Sequence, residues 1–143
     1  MPGKRKQKKI ASTMGIKISD ISSRYQSMGL RPAELMEDVK KILAGGGYTT
    51  LDANNSSIPA DGKIIELIFK PTDAPNGRLV KWQLTVSVKQ GGNIIWSAQD
   101  EKVGKQTSLY GVDVEARGID DLTDAREIFN KMVQYFVANH RVE

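Results

Sequence analysis

The clearest pattern in the chain is a run of alternating apolar and polar residues over positions 80–89. Alternation with a period of two puts every second side chain on one face of a β-strand, so this run predicts a strand with one buried face. Residues 90–93 contain two glycines and predict a tight hairpin turn. The apolar residues 94–98 predict the returning strand, and we expect Trp82 and Trp96 to face the core of the protein.

Three further segments have the composition of strands. The first starts at residue 13 and ends near residue 20, the second is the short segment 48–51, and the third covers residues 64–69. A short strand is also possible near residues 109–114, in a glycine-containing region. The predicted inward side chains are Met14, Ile16 and Ile18 in the first strand and Ile65, Leu67 and Phe69 in the third.

Two segments have the periodicity of amphipathic helices. The first begins at Pro32, where the missing N–H of proline costs no hydrogen bond, and ends at glycines 45–47, which readily adopt a left-handed conformation. The second begins at Asp120 or Asp121, whose carboxylates suit the positive end of a helix dipole. Their apolar stripes are Leu35, Met36, Val39, Ile42 and Leu43 in the first helix and Leu122, Ala125, Phe129, Met132, Val133 and Phe136 in the second.

The predicted order of elements is therefore β-α-β-β-β-β-α. Such a chain most simply packs two helices on one face of a largely antiparallel, mixed sheet of about five strands, with the first two strands joined by a crossover. This is an α+β fold. Residues 21–29 and 71–77 are predicted to be loops. We expect residues 1–10 to form a flexible basic arm and residues 11–143 to form a single α/β domain.

Charge selects one candidate binding segment, the basic run Lys4, Arg5, Lys6, Lys8 and Lys9. These five residues exceed the formal net charge of +4, so the rest of the chain is close to neutral. Such a run can bind nucleic acid with a salt-dependent affinity or an anionic membrane surface. A solubilising tail is an equally good interpretation.

Little in the sequence indicates catalysis. The chain has no cysteine, which excludes zinc–thiolate sites and cysteine nucleophiles, and its single histidine is His140, near the C-terminus. Glycines 45–47 follow a predicted helix rather than a strand, so they do not form a phosphate-binding loop. Glu34 and Asp38 have a spacing that suits a metal but fit an exposed, salt-bridged helix face better. We expect no enzyme activity, no cofactor and no metal.

Two blocks of sequence resemble a known family. Residues 84–106 include Gln-Gly-Gly-Asn-Ile-Ile-Trp-Ser and a later Lys-Gln, and resemble the last hairpin of the penicillin-binding-protein activator lipoproteins. The strand and loop of residues 16–25, the helix 33–43 and the segment Gly-Tyr-Thr-Thr-Leu-Asp at 47–52 are similar to that family and to the related curli-secretion type of periplasmic domain. The resemblance covers roughly half of the chain and implies a small accessory domain of the bacterial envelope.

The leading hypothesis is a non-enzymatic accessory or interaction domain of a bacterial cell-envelope assembly, with a protein partner. Its binding surface would be an exposed strand edge or the loops 22–31 and 71–78. The chain has no apolar stretch of membrane-spanning length and no signal peptide. We therefore expect a periplasmic or outer-membrane-associated protein if an export signal has been removed, and a cytoplasmic one otherwise. The alternative is a cytoplasmic nucleic-acid-associated protein that uses the basic arm. The oligomeric state is left open.

Overall fold

The computed structural model describes residues 12–54, 58, 62–75, 77–104, 106–109, 112–116 and 119–142. Seven strands and three helices lie within these ranges. The strands are β1 Thr13–Ile18, β2 Thr49–Asp52, β3 Lys63–Asp73, β4 Leu79–Gln90, β5 Asn93–Val103, β6 Gln106–Leu109 and β7 Val112–Ala116. The helices are α1 Ser23–Ser27, α2 Pro32–Gly45 and α3 Thr123–Asn139.

Five strands form one mixed sheet in the order β2-β1-β3-β4-β5. Strand β1 runs parallel to β2 and β3, while the longer pairings of β3 with β4 and of β4 with β5 are antiparallel. Helix α2 forms the crossover between β1 and β2, which a parallel connection requires. Strands β6 and β7 form a separate two-stranded sheet. The predicted α+β fold is confirmed.

The core lies between the sheet and the two long helices, which pack on each other and on the sheet. Strand alternation and helix periodicity predict the inward faces of β1, β3, β4, α2 and α3 correctly, and burying each large apolar side chain stabilises the fold by about 1.5–3 kcal/mol. Trp82 is fully buried, as predicted. The other central residues include Met14, Ile16, Ile65, Leu67, Leu84, Val86 and Val88 from the strands and Leu35, Val39, Leu43, Phe129, Val133 and Phe136 from the helices.

The predicted loop 21–29 contains a short helix, α1, and is wrong there. With five residues and no apolar stripe, α1 lacks the pattern by which a helix is recognised. Contacts from distant parts of the chain hold it: the Tyr25 ring packs edge-on against Phe69 at a centroid distance of 5.4 Å. Isolated helices of this length do not persist in water, so the surrounding structure determines this one.

Strand β3 continues through Pro71, where a turn was predicted. The N–H of Phe69 donates to Ser19 Oγ at 3.0 Å and therefore lies on the side of β3 away from β4. Because backbone groups alternate in direction along a strand, the nitrogen of Pro71 lies on the same side. The pairing of β1 with β3 ends at Leu67, so the proline costs no ladder hydrogen bond there.

The region after residue 98 also differs from the prediction. Strand β5 runs on to Val103 through the polar residues 99–102, and the single short strand expected near residues 109–114 is replaced by β6 and β7. A strand at the edge of a sheet needs fewer apolar residues than a central one. The polar composition of residues 99–102 therefore did not indicate that the strand continues.

The predicted glycine stop of α2 is confirmed. Gly47 has a φ of +91°, and the N–H of Tyr48 donates to the carbonyl of Leu43 at 3.1 Å. This geometry satisfies carbonyls that the end of a helix would leave free. The N–H of Val142 donates to the Gly46 carbonyl at 2.8 Å, so the C-terminal segment covers the turn from which β2 begins.

Candidate interaction surface

Strand β5 is a long edge of the sheet, with 11 residues and one neighbouring strand in that sheet, β4. The N–H of Gly104 donates to the Val80 carbonyl at 2.8 Å, so the backbone of Gly104 is directed at β4. Backbone direction alternates along a strand. Ser97, Gln99 and Glu101 therefore direct their own N–H and C=O groups away from β4. This edge can accept hydrogen bonds from, and donate them to, another strand.

Exposed apolar side chains accompany this backbone edge. Ile94 and Val103 are each 61% exposed and Ile95 is 42% exposed. Tyr135 of α3 is 65% exposed, and its ring lies 6.5 Å from that of Trp96. Among the side chains that the structure describes, which excludes those of β6 and β7, no other large apolar one is as exposed as these four. We call Ile94, Ile95, Trp96, Val103 and Tyr135, with the outward backbone of β5, the β5 edge patch.

A β-bulge shapes one end of this patch. The register of β4 and β5 shifts between Val88 and Lys89, which leaves Ile95 without a partner on β4. Bulges re-aim side chains at the edges of sheets. Trp96, predicted to face the core, is half-buried and packs edge-on against Phe136 at 5.3 Å. One side of its ring thus joins the core while the adjoining residues reach the surface.

A groove of about 320 Å³ lies at the other end of the patch, between the second half of β5 and the first half of α3. Trp82, Ile128 and Lys131 contribute to its walls. Lys102 and Asp124 form an ion pair of 2.6 Å beside it. The indole N–H of Trp82 has no hydrogen-bond acceptor within the described part of the chain. The groove combines apolar surface with charged side chains.

The loops 22–31 and 71–78, both predicted as candidate binding surfaces, bind each other. The Arg24 guanidinium and the Tyr25 hydroxyl each donate to Asp73 Oδ2 at 2.9 Å. Arg24 also donates to the Gly77 carbonyl. Burial and the hydrogen bond to Asp73 raise the pKa of Tyr25 above its usual 10.0. These polar groups are engaged within the protein, which makes β5 the stronger candidate surface.

The predicted carboxylate pair Glu34 and Asp38 binds an arginine of α3. Arg126 contacts Asp38 with two nitrogens, at 2.8 and 3.1 Å, and Glu34 at 3.3 Å. The Asn130 amide donates to Asp38 at 3.0 Å. The hydrogen bond from Arg126 holds the pKa of Asp38 below its usual 3.8. The pair therefore joins α2 to α3, which the spacing within α2 alone did not reveal.

A second crevice, of about 410 Å³, lies at the carboxyl ends of β1 and β2. Its walls include Asp20, Glu37 and Asp52. Across the ranges that the structure describes, no group of three or more histidine or carboxylate side chains is placed to hold a metal ion.

The remaining predicted residues lie at the ends of the chain. Lys4, Arg5, Lys6, Lys8 and Lys9 lie outside the described residues, so the basic arm stays a prediction. His140 follows α3 and stacks on Phe136 with a centroid distance of 4.7 Å. Asp121 accepts the backbone N–H of Thr123 at 2.8 Å and stabilises the start of α3, as predicted. No helix within the described residues has the length and apolar composition needed to cross a bilayer.

No protein-family model and no curated protein sequence matches this chain. Similar solved structures include the minor lipoprotein from Acinetobacter baumannii, with a TM-score of 0.39, 10% identity and 90% of each chain covered. Rare lipoprotein B from Shewanella oneidensis has a TM-score of 0.31 and 11% identity over 89% of each chain. The PelC dodecamer from Paraburkholderia phytofirmans has a TM-score of 0.43 and 8% identity, over 90% of this chain and 84% of that one. Two of these three are bacterial lipoproteins, but TM-scores this low carry no argument about function.

Proposed function

We propose that this chain is a non-catalytic binding domain of a bacterial cell-envelope assembly and that it binds a protein through the β5 edge patch. One observation carries the proposal: an 11-residue edge strand coincides with large apolar side chains that are 42–61% exposed, Ile94, Ile95 and Val103. A partner strand would satisfy the outward backbone groups and cover Ile94, Ile95 and Val103. A sheet edge that combines outward backbone groups with exposed apolar side chains tends to pair with another strand, and most proteins have features that prevent such pairing.

The envelope part of the proposal comes from the resemblance in sequence. One of the segments that carry it, Ile94, Ile95, Trp96 and Ser97, lies near the start of β5. Part of the sequence that resembles the activator lipoproteins thus also lies in the β5 edge patch. A periplasmic or outer-membrane-associated location belongs to the same proposal.

The charges on the open face of the sheet favour a protein ligand over a nucleic acid. Lys17 and Lys89 lie 3.9 and 3.7 Å from Glu66, and Lys81 lies 3.4 Å from Glu101. These lysines are balanced by neighbouring carboxylates, whereas nucleic-acid surfaces carry uncompensated positive charge. The alternative function depends on the basic arm alone. Deleting residues 1–9 would then abolish nucleic-acid binding, and added salt would weaken it steeply.

The experiment is mild crosslinking of the tagged full chain in its native host, followed by cell fractionation and identification of the crosslinked proteins. We expect an envelope fraction and a partner that is lost in an Ile95→Lys variant. The matched control is Thr72→Lys, a charge placed at an exposed position of β3, which should retain the partner. A chain found only in the cytosol, a chain with no crosslinked protein, or equal capture by the two variants would overturn the proposal.

A further inference from the structure

We propose that the β5 edge patch binds the same patch of a second copy of this chain. The two β5 strands would pair antiparallel, with Gln99 on the two-fold axis, and extend the five-stranded sheet into a continuous sheet across both copies. This inference rests on the proposed function, because it names the partner of the same surface. It is carried by the positions of the exposed residues, by the direction of the backbone and by the pairing of charges.

Two of the exposed apolar residues of β5 are symmetrically placed about Gln99. Ile95 lies four residues before it and Val103 four residues after it. When two antiparallel strands pair about Gln99, Val103 of each copy comes beside Ile95 of the other. A two-fold interface requires such self-complementarity, since one patch must serve as both partners. Each exposed end of the strand is thereby covered by the opposite end of the second copy.

The backbone has the direction that this pairing needs. Gln99 turns its N–H and C=O away from β4, because Gly104, an odd number of residues later, turns its N–H toward β4. The two Gln99 residues then form a hydrogen-bonded pair on the axis, and Ser97 pairs in the same way with Glu101 of the other copy. A register centred on Asp100 would instead place two like charges opposite each other, which is unfavourable.

The side chains of the helix-facing side are also matched. Lys102 lies opposite Trp96 of the other copy, within reach of a cation–π contact. Asp100 lies opposite Ala98 on the same side, and on the open face of the sheet Glu101 lies opposite Ser97. No directly opposed positions between residues 96 and 102 carry like charges, and the two Asp100 side chains are moved from directly opposite positions to diagonal ones.

The helix layer adds a second contact. Helix α3 packs on β4 and β5, with Tyr135 beside Trp96 and the groove of Trp82 and Ile128 beside Lys102. Since Trp96 lies opposite Lys102 of the other copy, Tyr135 is brought toward the groove of that copy. Tyr135, which is 65% exposed, thus meets the groove that Trp82 and Ile128 line together with charged side chains, twice in one dimer.

Single cysteines test the register, since the native chain has none. In a Gln99→Cys chain the two Cα atoms would be about 5.5 Å apart, within the roughly 4.4–6.8 Å of a disulfide. Ser97→Cys is the matched control on the same strand and face, because its two Cα atoms would be more than about 13 Å apart. Under mild oxidation we expect a covalent dimer from Gln99→Cys and not from Ser97→Cys. The double variant Ser97→Cys with Glu101→Cys should also crosslink.

Sedimentation of the full chain tests the association itself, from low micromolar to submillimolar concentration. We expect a reversible dimer that Gln99→Pro abolishes, because proline removes only an outward N–H and leaves the ladder with β4 intact. Gln99→Thr is the matched control and should still dimerise. Unchanged circular dichroism in Gln99→Pro would show that the fold survives.

The outcomes separate this inference from the proposed function. A native chain that stays monomeric throughout, or a dimer that crosslinks equally through Ser97→Cys, would overturn self-pairing. If a different protein is captured in cells through Ile95 while the purified chain stays monomeric, the proposed function stands and self-pairing fails. If the dimer forms as described but the cellular chain is cytosolic and binds nothing else, self-pairing stands and the envelope function fails.

Discussion

The two edges of the sheet differ in length, cover and composition. Strand β2 has four residues and starts from a turn that the C-terminal segment covers. Strand β5 has 11 residues and carries exposed isoleucine and valine side chains. A very short edge strand is one way in which proteins prevent unwanted pairing. The sheet therefore protects one edge and leaves the other able to bind, which places the candidate function on the β5 side.

The two long helices are divided between the same two sides of the sheet, and an ion pair connects them. Helix α2 packs against β1 and β2, and α3 packs against β4 and β5. The ion pair of Arg126 with Asp38 joins the two helices. The β2 edge and the β5 edge thus lie on separate parts of the surface, while the helices that pack beside them are joined by an ion pair.

The largest expected effect comes from proline at adjacent positions of β5. Ala98→Pro removes a hydrogen bond to β4 and should lower the free energy of unfolding by about 3 kcal/mol. Gln99→Pro removes an outward N–H and should change the stability of the monomer by less than about 1 kcal/mol. Urea unfolding at low protein concentration measures both. Equal losses would mean that the outer side of β5 is already engaged within the chain.

A glycine pair probes the protected edge. Gly47→Ala should destabilise the protein by about 1–2 kcal/mol, since its φ is positive, and a Cβ there would meet the Val142 carbonyl at 2.9 Å. Gly45→Ala, at the end of α2 with nothing within 4 Å of the added Cβ, is the control. It should be neutral or slightly stabilising. Thermal unfolding of the two variants gives the difference, and similar losses would show that the turn before β2 is not constrained as described.

Removing the ion pair between α2 and α3 should have a moderate effect on the stability of the protein. Arg126→Met leaves the half-buried Asp38 with the Asn130 amide alone and should cost about 1–2 kcal/mol of stability. Lys40→Met removes the exposed pair with Glu37 and should cost no more than about 0.5 kcal/mol. Chemical denaturation of both variants decides this. If the two losses were the same, the contact between α2 and α3 would be no stronger than a surface ion pair.

Acid should weaken the ion pair of Arg126 with Asp38. The folded-state pKa of Asp38 lies below 3.8, chiefly through its hydrogen bond with Arg126. A depressed carboxyl pKa adds stability above the unfolded value, and this stability is lost as the pH falls through the folded value. The stability difference between the native chain and Arg126→Met should therefore shrink as the pH falls from about 6 to about 2. If the stability difference between the two chains stayed constant over that range, the contact of Arg126 with Asp38 would not be ionic.

The local patterns predict much of the fold but not its edges. The alternation that buries Trp82 and the glycines that end α2 follow from neighbouring residues alone. The second half of β5 is polar because that strand lies at an edge, and strand order is decided by contacts between distant segments. The bulge at Ile95 and the arginine that binds Asp38 depend on the same distant contacts. An exposed strand edge was among the expected surfaces, but the sequence did not indicate which edge.

The most direct test of the central claim is photo-crosslinking in the native host. A photoreactive amino acid is placed at Gln99 on the β5 edge and, in a separate chain, at Thr50 on the β2 edge. The account predicts covalent adducts from Gln99, to a second copy or to another protein, and none from Thr50. Adducts from Thr50 with none from Gln99, or no adduct from either edge, would contradict it.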